Sequence, residues 1–236
     1  MTPFVSLLLR TEMKSKDLKI LRKCIANANR CDDLLKGIDD ATSFSFSPVR
    51  RMHDERLSSE GFDATQKKDL SIVFVSSGQM TETRWNECLV LFENNMGEMY
   101  RNSSWGLDME AKSAELRHEK ARFLFAIDND EKLAGFVHFR FEYDDEESPS
   151  CAVMYIYEIQ IESAYRRCGL GKRLMGITER IAREQSMPKV VLTVFKTNHQ
   201  AMAFYTKRLG YDIDESSPIK FGDDNADYEI LSLKLP

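Results

Sequence analysis

The segment Arg166-Arg167-Cys168-Gly169-Leu170-Gly171-Lys172 lies between an apolar, strand-like run over 153–161 and an amphipathic helix beginning at Lys172. A strand that feeds a helix through a tight glycine turn makes the local architecture α/β, because the helix must fold back over the sheet that holds the strand. Two glycines one residue apart let several backbone N–H groups converge, and the helix N-terminus adds partial positive charge. Such a turn suits a bound pyrophosphate. The same pair also serves as a bare strand-to-helix turn, so the loop by itself leaves both readings open.

Hydrophobic spacing predicts a helix over 17–35, with Leu18, Leu21, Ile25, Ala28 and Leu35 on one stripe. Residues 39–68 are rich in Ser, Asp and Arg and carry Pro48, which predicts loops. Residues 70–75 read as a strand, and 80–99 as a helix capped by Thr81 with Trp85, Cys88, Leu89, Leu91 and Phe92 turned inward. Strands over 122–127 and 133–142 form a hairpin around Asp128-Asn129-Asp130, whose Asn and Asp suit the turn. At 236 residues and 42% hydrophobic content the chain can bury one full core. The expected organisation is a domain over 69–236 preceded by an N-terminal extension over 1–68 that packs on it.

Strict alternation in the strand over 153–161 sets Met154, Ile156, Glu158 and Gln160 on one face and Tyr155, Tyr157, Ile159 and Ile161 on the other. Glu158 interrupts an apolar strand. A carboxylate among Ile and Tyr is costly to bury unless it is hydrogen-bonded or takes part in proton transfer. Two readings stand: a general base, or a buried partner of a structural cation or amide.

Downstream come a strand over 190–195 and then Asn198, Ala201, Phe204, Tyr205, Gly210 and Tyr211. This order, with Ile159-Gln160-Ile161 ahead of the R-x-x-G-x-G turn, resembles the acyl-CoA-binding half of the GCN5-related N-acetyltransferase superfamily. The stretches Asn95-Met96, Met99-Tyr100, Trp105-Gly106, His138-Phe139-Arg140-Phe141, Tyr157-Glu158, Leu192-Thr193-Val194-Phe195-Lys196, 214–218 and Tyr228-Glu229-Ile230-Leu231 narrow it. They resemble the histone N-alpha-acetyltransferase branch.

The resemblance implies an α/β fold with a mixed, twisted central sheet flanked by helices, and acetyl-CoA as co-substrate. It assigns cofactor contacts to Ile159, Gln160, Ile161, Arg167, Cys168, Gly169, Leu170, Gly171 and Lys172, with Asn198 on the pantetheine arm. Glu158 and Tyr157 become the catalytic residues, Glu158 taking a proton from a peptide α-ammonium through an ordered water. Tyr205 stands where relatives keep a phenol that protonates the leaving thiolate, or it packs. Substrate contacts fall on Tyr100, Trp105, Glu142, Tyr143, Asp144, Tyr155, Tyr157, Thr193, Ser216 and Tyr228. Relatives usually carry Asp where Glu142 stands, so Asp144 shares or takes over its role of pairing with a substrate arginine. A tail beginning Ser-Gly-Arg-Gly fits this set.

A net charge of −5 argues against a large nucleic-acid footprint and for a basic partner, expected to be protein N-terminal tails such as those of histones. The five cysteines lack metal-ligand spacing, so no metal site is expected. The apolar run at 4–9 is far shorter than the ~20 residues of a membrane span. Arg50-Arg51 and Lys67-Lys68 are too sparse for a nuclear signal, and a monomer resident in cytoplasm and nucleus is the expectation. The competing functions are a lysine or small-amine acetyltransferase of the same fold, and a non-catalytic acyl-CoA-responsive module that binds peptides.

Overall fold

The computed structural model describes residues 15–38, 42–46, 68–145, 147 and 149–236. The run at 4–9, Pro48, Arg50-Arg51, Lys67 and Glu146 lie outside them. The strands are β1 Ser43–Phe46, β2 Lys68–Ser76, β3 Arg122–Asp128, β4 Leu133–Tyr143, β5 Ala152–Ile161, β6 Lys189–Phe195, β7 Asp212–Ile213 and β8 Tyr228–Lys234. The helices are α1 Ser15–Asn29, α2 Glu82–Arg101, α3 Met109–Leu116, α4 Leu170–Glu184 and α5 His199–Ala203, the last running on into a π turn over Phe204–Leu209. The strands form one sheet in the order β1-β2-β3-β4-β5-β6-β8-β7. Every neighbouring pair is antiparallel except β5 and β6. The expected mixed sheet flanked by helices is thus observed.

Alternation builds both faces. Phe123 and Phe125 of β3 meet Trp85, Cys88 and Leu91 of α2, while Leu124 and Ala126 join the cluster that holds Leu174, Ile177 and Ile181 of α4 and Ile25 and Ala28 of α1. Each fully buried Leu or Phe contributes about 1.5–3 kcal/mol, so the two clusters hold the helices to the sheet. α2 starts where its cap predicts, with the Thr81 hydroxyl accepting the Arg84 N–H at 3.2 Å. In the β3–β4 hairpin the Asp128 carboxylate accepts the N–H groups of Asp130 and Lys132, each at 2.9 Å.

Three expectations are corrected. The helix predicted over 17–35 stops at Asn29, and the Asp33 carboxylate takes the Leu35 N–H at 3.0 Å, a local turn that competes with helix. Part of the predicted loop over 39–68 is strand: β1 pairs with β2, and Phe46 enters the core beside Tyr165. The third concerns β5. Glu158 lies opposite His138 and Ile156 opposite Phe139, so Tyr157 is an extra residue, a β-bulge. Past it the faces exchange: Ile159 and Ile161 join Met154 and Ile156 on the α1 and α4 side, while Glu158 and Gln160 share the α2 and α3 side with Tyr155 and Tyr157.

Candidate active site

β5 and β6 pair only from 153–156 against 189–192, and beyond that they diverge. Their main-chain N–H and C=O groups past this point face a gap in place of a ladder, and such groups call for a ligand or water. The gap is a cleft of about 160 Å³, lined by Ile156, Glu158, Ile159 and Gln160 of β5, Thr193, Val194 and Phe195 of β6, and Asn198, Ala201 and Tyr205. Tyr100, Trp105, Lys112, Glu115 and Tyr228 close its other side.

At the glycine turn, Arg167 has φ 63° and Gly169 has φ 94°, an alternation that turns successive N–H groups the same way. Gly169 caps α4 without a side-chain hydrogen bond, so the first N–H groups of the helix remain donors for an anion. Exposed Arg167 and Lys172 add charge at the rim. This donor set fits a pyrophosphate. The Cys168 thiol donates to the Tyr165 carbonyl at 3.0 Å, and Leu170 is buried. A methyl on Gly171 would sit 3.5 Å from the Phe204 ring, which packs the helix start against the π turn. Asn198 caps α5 through its oxygen, bonded to the Ala201 N–H at 3.1 Å, which leaves its amide N–H groups as donors. Ile159 and Gln160 line the cleft as expected. Ile161 does not: its side chain packs on the apolar face, and its carbonyl accepts Asn95 at 3.2 Å and Arg166 at 3.0 Å.

Glu158 is buried, and both its oxygens are engaged. Lys112 donates to Oε1 at 2.8 Å and Gln160 to Oε2 at 2.7 Å. Lys112 also donates to Glu115 at 2.7 Å and lies 4.7 Å over the Phe92 ring. Burial alone would pull the Lys112 ammonium down, but Glu158 and Glu115 outweigh it and hold it above the usual lysine range. Tyr205 is buried at the cleft wall with no hydrogen-bond partner among the described residues; burial, then the charge of Glu158, pushes its phenol up. Across the bulge His138 is buried and neutral, pulled well below the usual range by burial and then by Arg140.

On the acceptor side Trp105 lies 5.0 Å from Tyr228, 5.1 Å from Phe195 and 6.0 Å from Tyr100, ring to ring. Tyr155 shares a hydroxyl hydrogen bond with Thr193, and burial pushes its phenol up to about 12. The Tyr157 hydroxyl donates to Glu142 at 2.8 Å, and the ring stacks on His138 at 4.9 Å and lies 4.1 Å from the Arg140 guanidinium. Ser216 donates to Asp214 at 2.6 Å. Burial would raise Asp214, but Ser216, Ser232 and Lys189 hold its carboxyl down at about 2.

Besides Ile161, two placements differ from expectation. Tyr143 packs with the α1 and α4 core, on the side of the sheet away from the cleft. Asp144 lines the cleft, but its carboxylate accepts the N–H groups of Ser150 and Cys151, each at 2.9 Å, and the Ser150 hydroxyl, so it holds its own loop together. The sequence reading missed Lys112 and Glu115, because α3 (MEAKSAEL) has no apolar stripe to mark an inward lysine. Among the described residues no group of three or more His, Cys, Asp or Glu could hold a metal ion, and no helix is long and apolar enough to cross a membrane.

Residues 85–211 match the family described as Acetyltransferase (GNAT) family. Among curated proteins the chain is similar to mycothiol acetyltransferase of Paenarthrobacter aurescens (strain TC1), 29% identical over 181 residues, covering 72% of this chain and 52% of that protein. The chain therefore spans about half the length of that relative. Among solved structures it is similar to a GNAT-family acetyltransferase from Staphylococcus aureus MU50, with TM-score 0.52 and 17% identity over 70% of this chain and 99% of that one. A chain of the NatC complex bound to Gag peptide and CoA gives TM-score 0.51 and 16% identity, again over 70% and 99%. At such identities the structural likenesses speak for the fold.

Proposed function

The chain belongs to the GNAT acetyltransferase family, and from that premise we propose that it transfers the acetyl group of acetyl-CoA to the free α-amine of a protein N-terminus, with Glu158 as general base. When bound, acetyl-CoA supplies a thioester carbonyl open to attack by an amine. The main-chain N–H groups from Cys168 to Lys172, with Arg167, hold its pyrophosphate, and Asn198 donates to the pantetheine arm. N–H groups on the open edge of β5 about Ile159 face the developing negative charge on the carbonyl oxygen, already in place before that charge forms. Glu158 accepts the proton of the acceptor ammonium, through a water where the distance requires one. Tyr205 is the phenol placed to return a proton to the departing thiolate.

The observation that carries the α-amine reading is the aromatic slot of Tyr100, Trp105, Phe195 and Tyr228 closing over the Glu158 end of the cleft. The rings pack on one another and form a continuous aromatic wall, against which a main chain with small first residues can lie flat and be held by area. An α-amine, of reference pKa ~8, is partly neutral at cellular pH, whereas a lysine amine at ~10.4 asks more of any base. A tail beginning Ser-Gly-Arg-Gly, as in histones, enters with its small residues, and its arginine meets Glu142. Tyr157 then serves to hold Glu142, and Tyr155, Thr193 and Ser216 line the path of the tail. The partners that follow are basic protein tails, met by a monomer in cytoplasm or nucleus. The likeness to mycothiol acetyltransferase favours a second reading, a small-molecule amine as acceptor.

Mass spectrometry of a Ser-Gly-Arg-Gly peptide with purified protein and acetyl-CoA, beside the same peptide blocked at its N-terminus, decides between them. We expect only the free-ended peptide to gain an acetyl group. Glu158→Gln should lower the rate about 10²- to 10⁴-fold. Equal reaction of the blocked peptide makes lysine the acceptor and overturns the reading; consumption of acetyl-CoA with a small amine but neither peptide establishes the second one.

A further inference from the structure

We infer that Lys112 of α3 is a positioning residue for Glu158, fixing the orientation of that carboxylate and keeping it aimed into the cleft. The inference rests on the acetyl transfer proposed above and concerns how its base is held.

Lys112 is 7% exposed, and its ammonium spends one hydrogen on Glu158 Oε1 at 2.8 Å and another on Glu115 Oε1 at 2.7 Å. The faces of Phe92 and Tyr100 take up the remaining space around it, 4.7 and 5.4 Å away. A lysine held this way gives up its rotamer freedom. A buried ion pair moreover contributes little net stability relative to apolar side chains of the same volume. The geometry therefore points to orientation and charge.

The second carboxylate oxygen is held from the other side by a directional chain. Arg166 donates to Asn95 Oδ1, Asn95 donates to Gln160 Oε1 at 2.9 Å, and Gln160 donates to Glu158 Oε2 at 2.7 Å. Each amide is oriented by the one before it, so the rotation of Glu158 is set at both ends. A carboxylate has about four acceptor directions, and two are spent here, which leaves the others for an incoming ammonium or water.

Around Glu158 stand Lys112 and Glu115 from α3, Tyr100 from α2, neutral His138 from β4, Tyr157 and Gln160 from β5, and Tyr205 from the π turn. Lys112 is the cation in hydrogen-bond contact with it among the described residues. Because its acidic neighbours keep it protonated, it acts as a fixed charge and neither donates nor takes the reacting proton.

The test is a kinetic cycle with the Ser-Gly-Arg-Gly peptide: Lys112→Met, Lys112→Arg, Glu158→Gln and the double variant Lys112→Met/Glu158→Gln. Lys112→Met should lower kcat about 10- to 100-fold, the cost of a misplaced group, while KM for the peptide changes far less. Lys112→Arg should restore most of the rate. In the Glu158→Gln background, Lys112→Met should cause no further loss, because two residues acting as a unit are not additive.

Wild-type kcat in a folded Lys112→Met, or a double variant slower than Glu158→Gln by the full single-mutant factor, overturns the inference. Should Lys112→Met not fold, the double variant, which removes the Glu158 charge together with its cation, and Lys112→Arg carry the same comparison. A wild-type chain that acetylates no free-amine acceptor overturns the proposed function and this inference with it. Wild-type turnover beside an indifferent Lys112→Met overturns the inference alone.

Discussion

The two faces of β5 differ more than the two ends of the molecule. Toward α1 and α4 the strand sends Met154, Ile156, Ile159 and Ile161 into a cluster of aliphatic and aromatic side chains. Toward α2 and α3 it sends Tyr155, Tyr157, Glu158 and Gln160 into a set of charges and hydrogen bonds that includes Lys112, Glu115, His138 and Arg140. One face sets stability by area and the other sets chemistry by direction. A single extra residue, Tyr157, decides which side chains go where, since without the bulge Glu158 would follow Met154 and Ile156 into the apolar side.

The sharpest way to break this contrast is to delete Tyr157. Taking out the extra residue itself leaves Glu158 opposite His138 on its present face, but it flattens the bend that aims the carboxylate and removes the ring that stacks on His138 and holds Glu142. We expect a loss of about 3–5 kcal/mol by urea unfolding, as for other aromatic truncations, and transferase activity lowered at least about 100-fold. Leu174→Ala, on the apolar side, should cost about 2–5 kcal/mol and leave kcat of the folded fraction unchanged, as measured by unfolding and turnover on one sample.

Acid separates the faces next. His138 is held neutral when folded but titrates near 6.5 when unfolded, so the unfolded chain binds more protons and stability falls as pH drops below about 6.5. The slope should approach about 1.4 kcal/mol per pH unit. His138→Phe should flatten that limb in thermal melts across pH 5–7 if the charged face is its source. The smallest effect belongs to charge that is not enclosed. Arg117 makes two hydrogen bonds to Glu82, at 2.8 and 2.6 Å, on the exposed start of α2, and Arg117→Ala should leave the midpoint of denaturant unfolding almost unchanged.

Much of the fold was readable because it rests on local rules. Thr81 capped its helix, Asp128 turned its hairpin, and the glycine turn preceded a helix, each by chemistry confined to a few residues. The strand β1 was readable too, in the Phe44 and Phe46 alternation, but the polar composition around it outweighed the pattern. The bulge was not readable, because register is a property of two strands and the β5 segment alternates without fault when read alone. For the same reason Tyr143 was set in the cleft, although its partner strand turns it to the other face. Lys112 left no trace since a short helix with one inward lysine resembles any solvated helix. The residues of the cleft wall that were anticipated, among them Tyr100, Trp105, Thr193 and Tyr228, stood in stretches recognisable as a family pattern, not in any periodicity.

The parting of β5 from β6 has a further consequence. The opening comes from a parallel ladder that stops after four residue pairs, so its width and its donors belong to the peptide backbone. Substitutions along either strand can repaint the walls without closing the gap, provided the ladder still ends where it does. A slot made this way tolerates wide sequence drift while the reacting carbonyl keeps its place, and new acceptors can arise by changing the rings and charges around a fixed aperture.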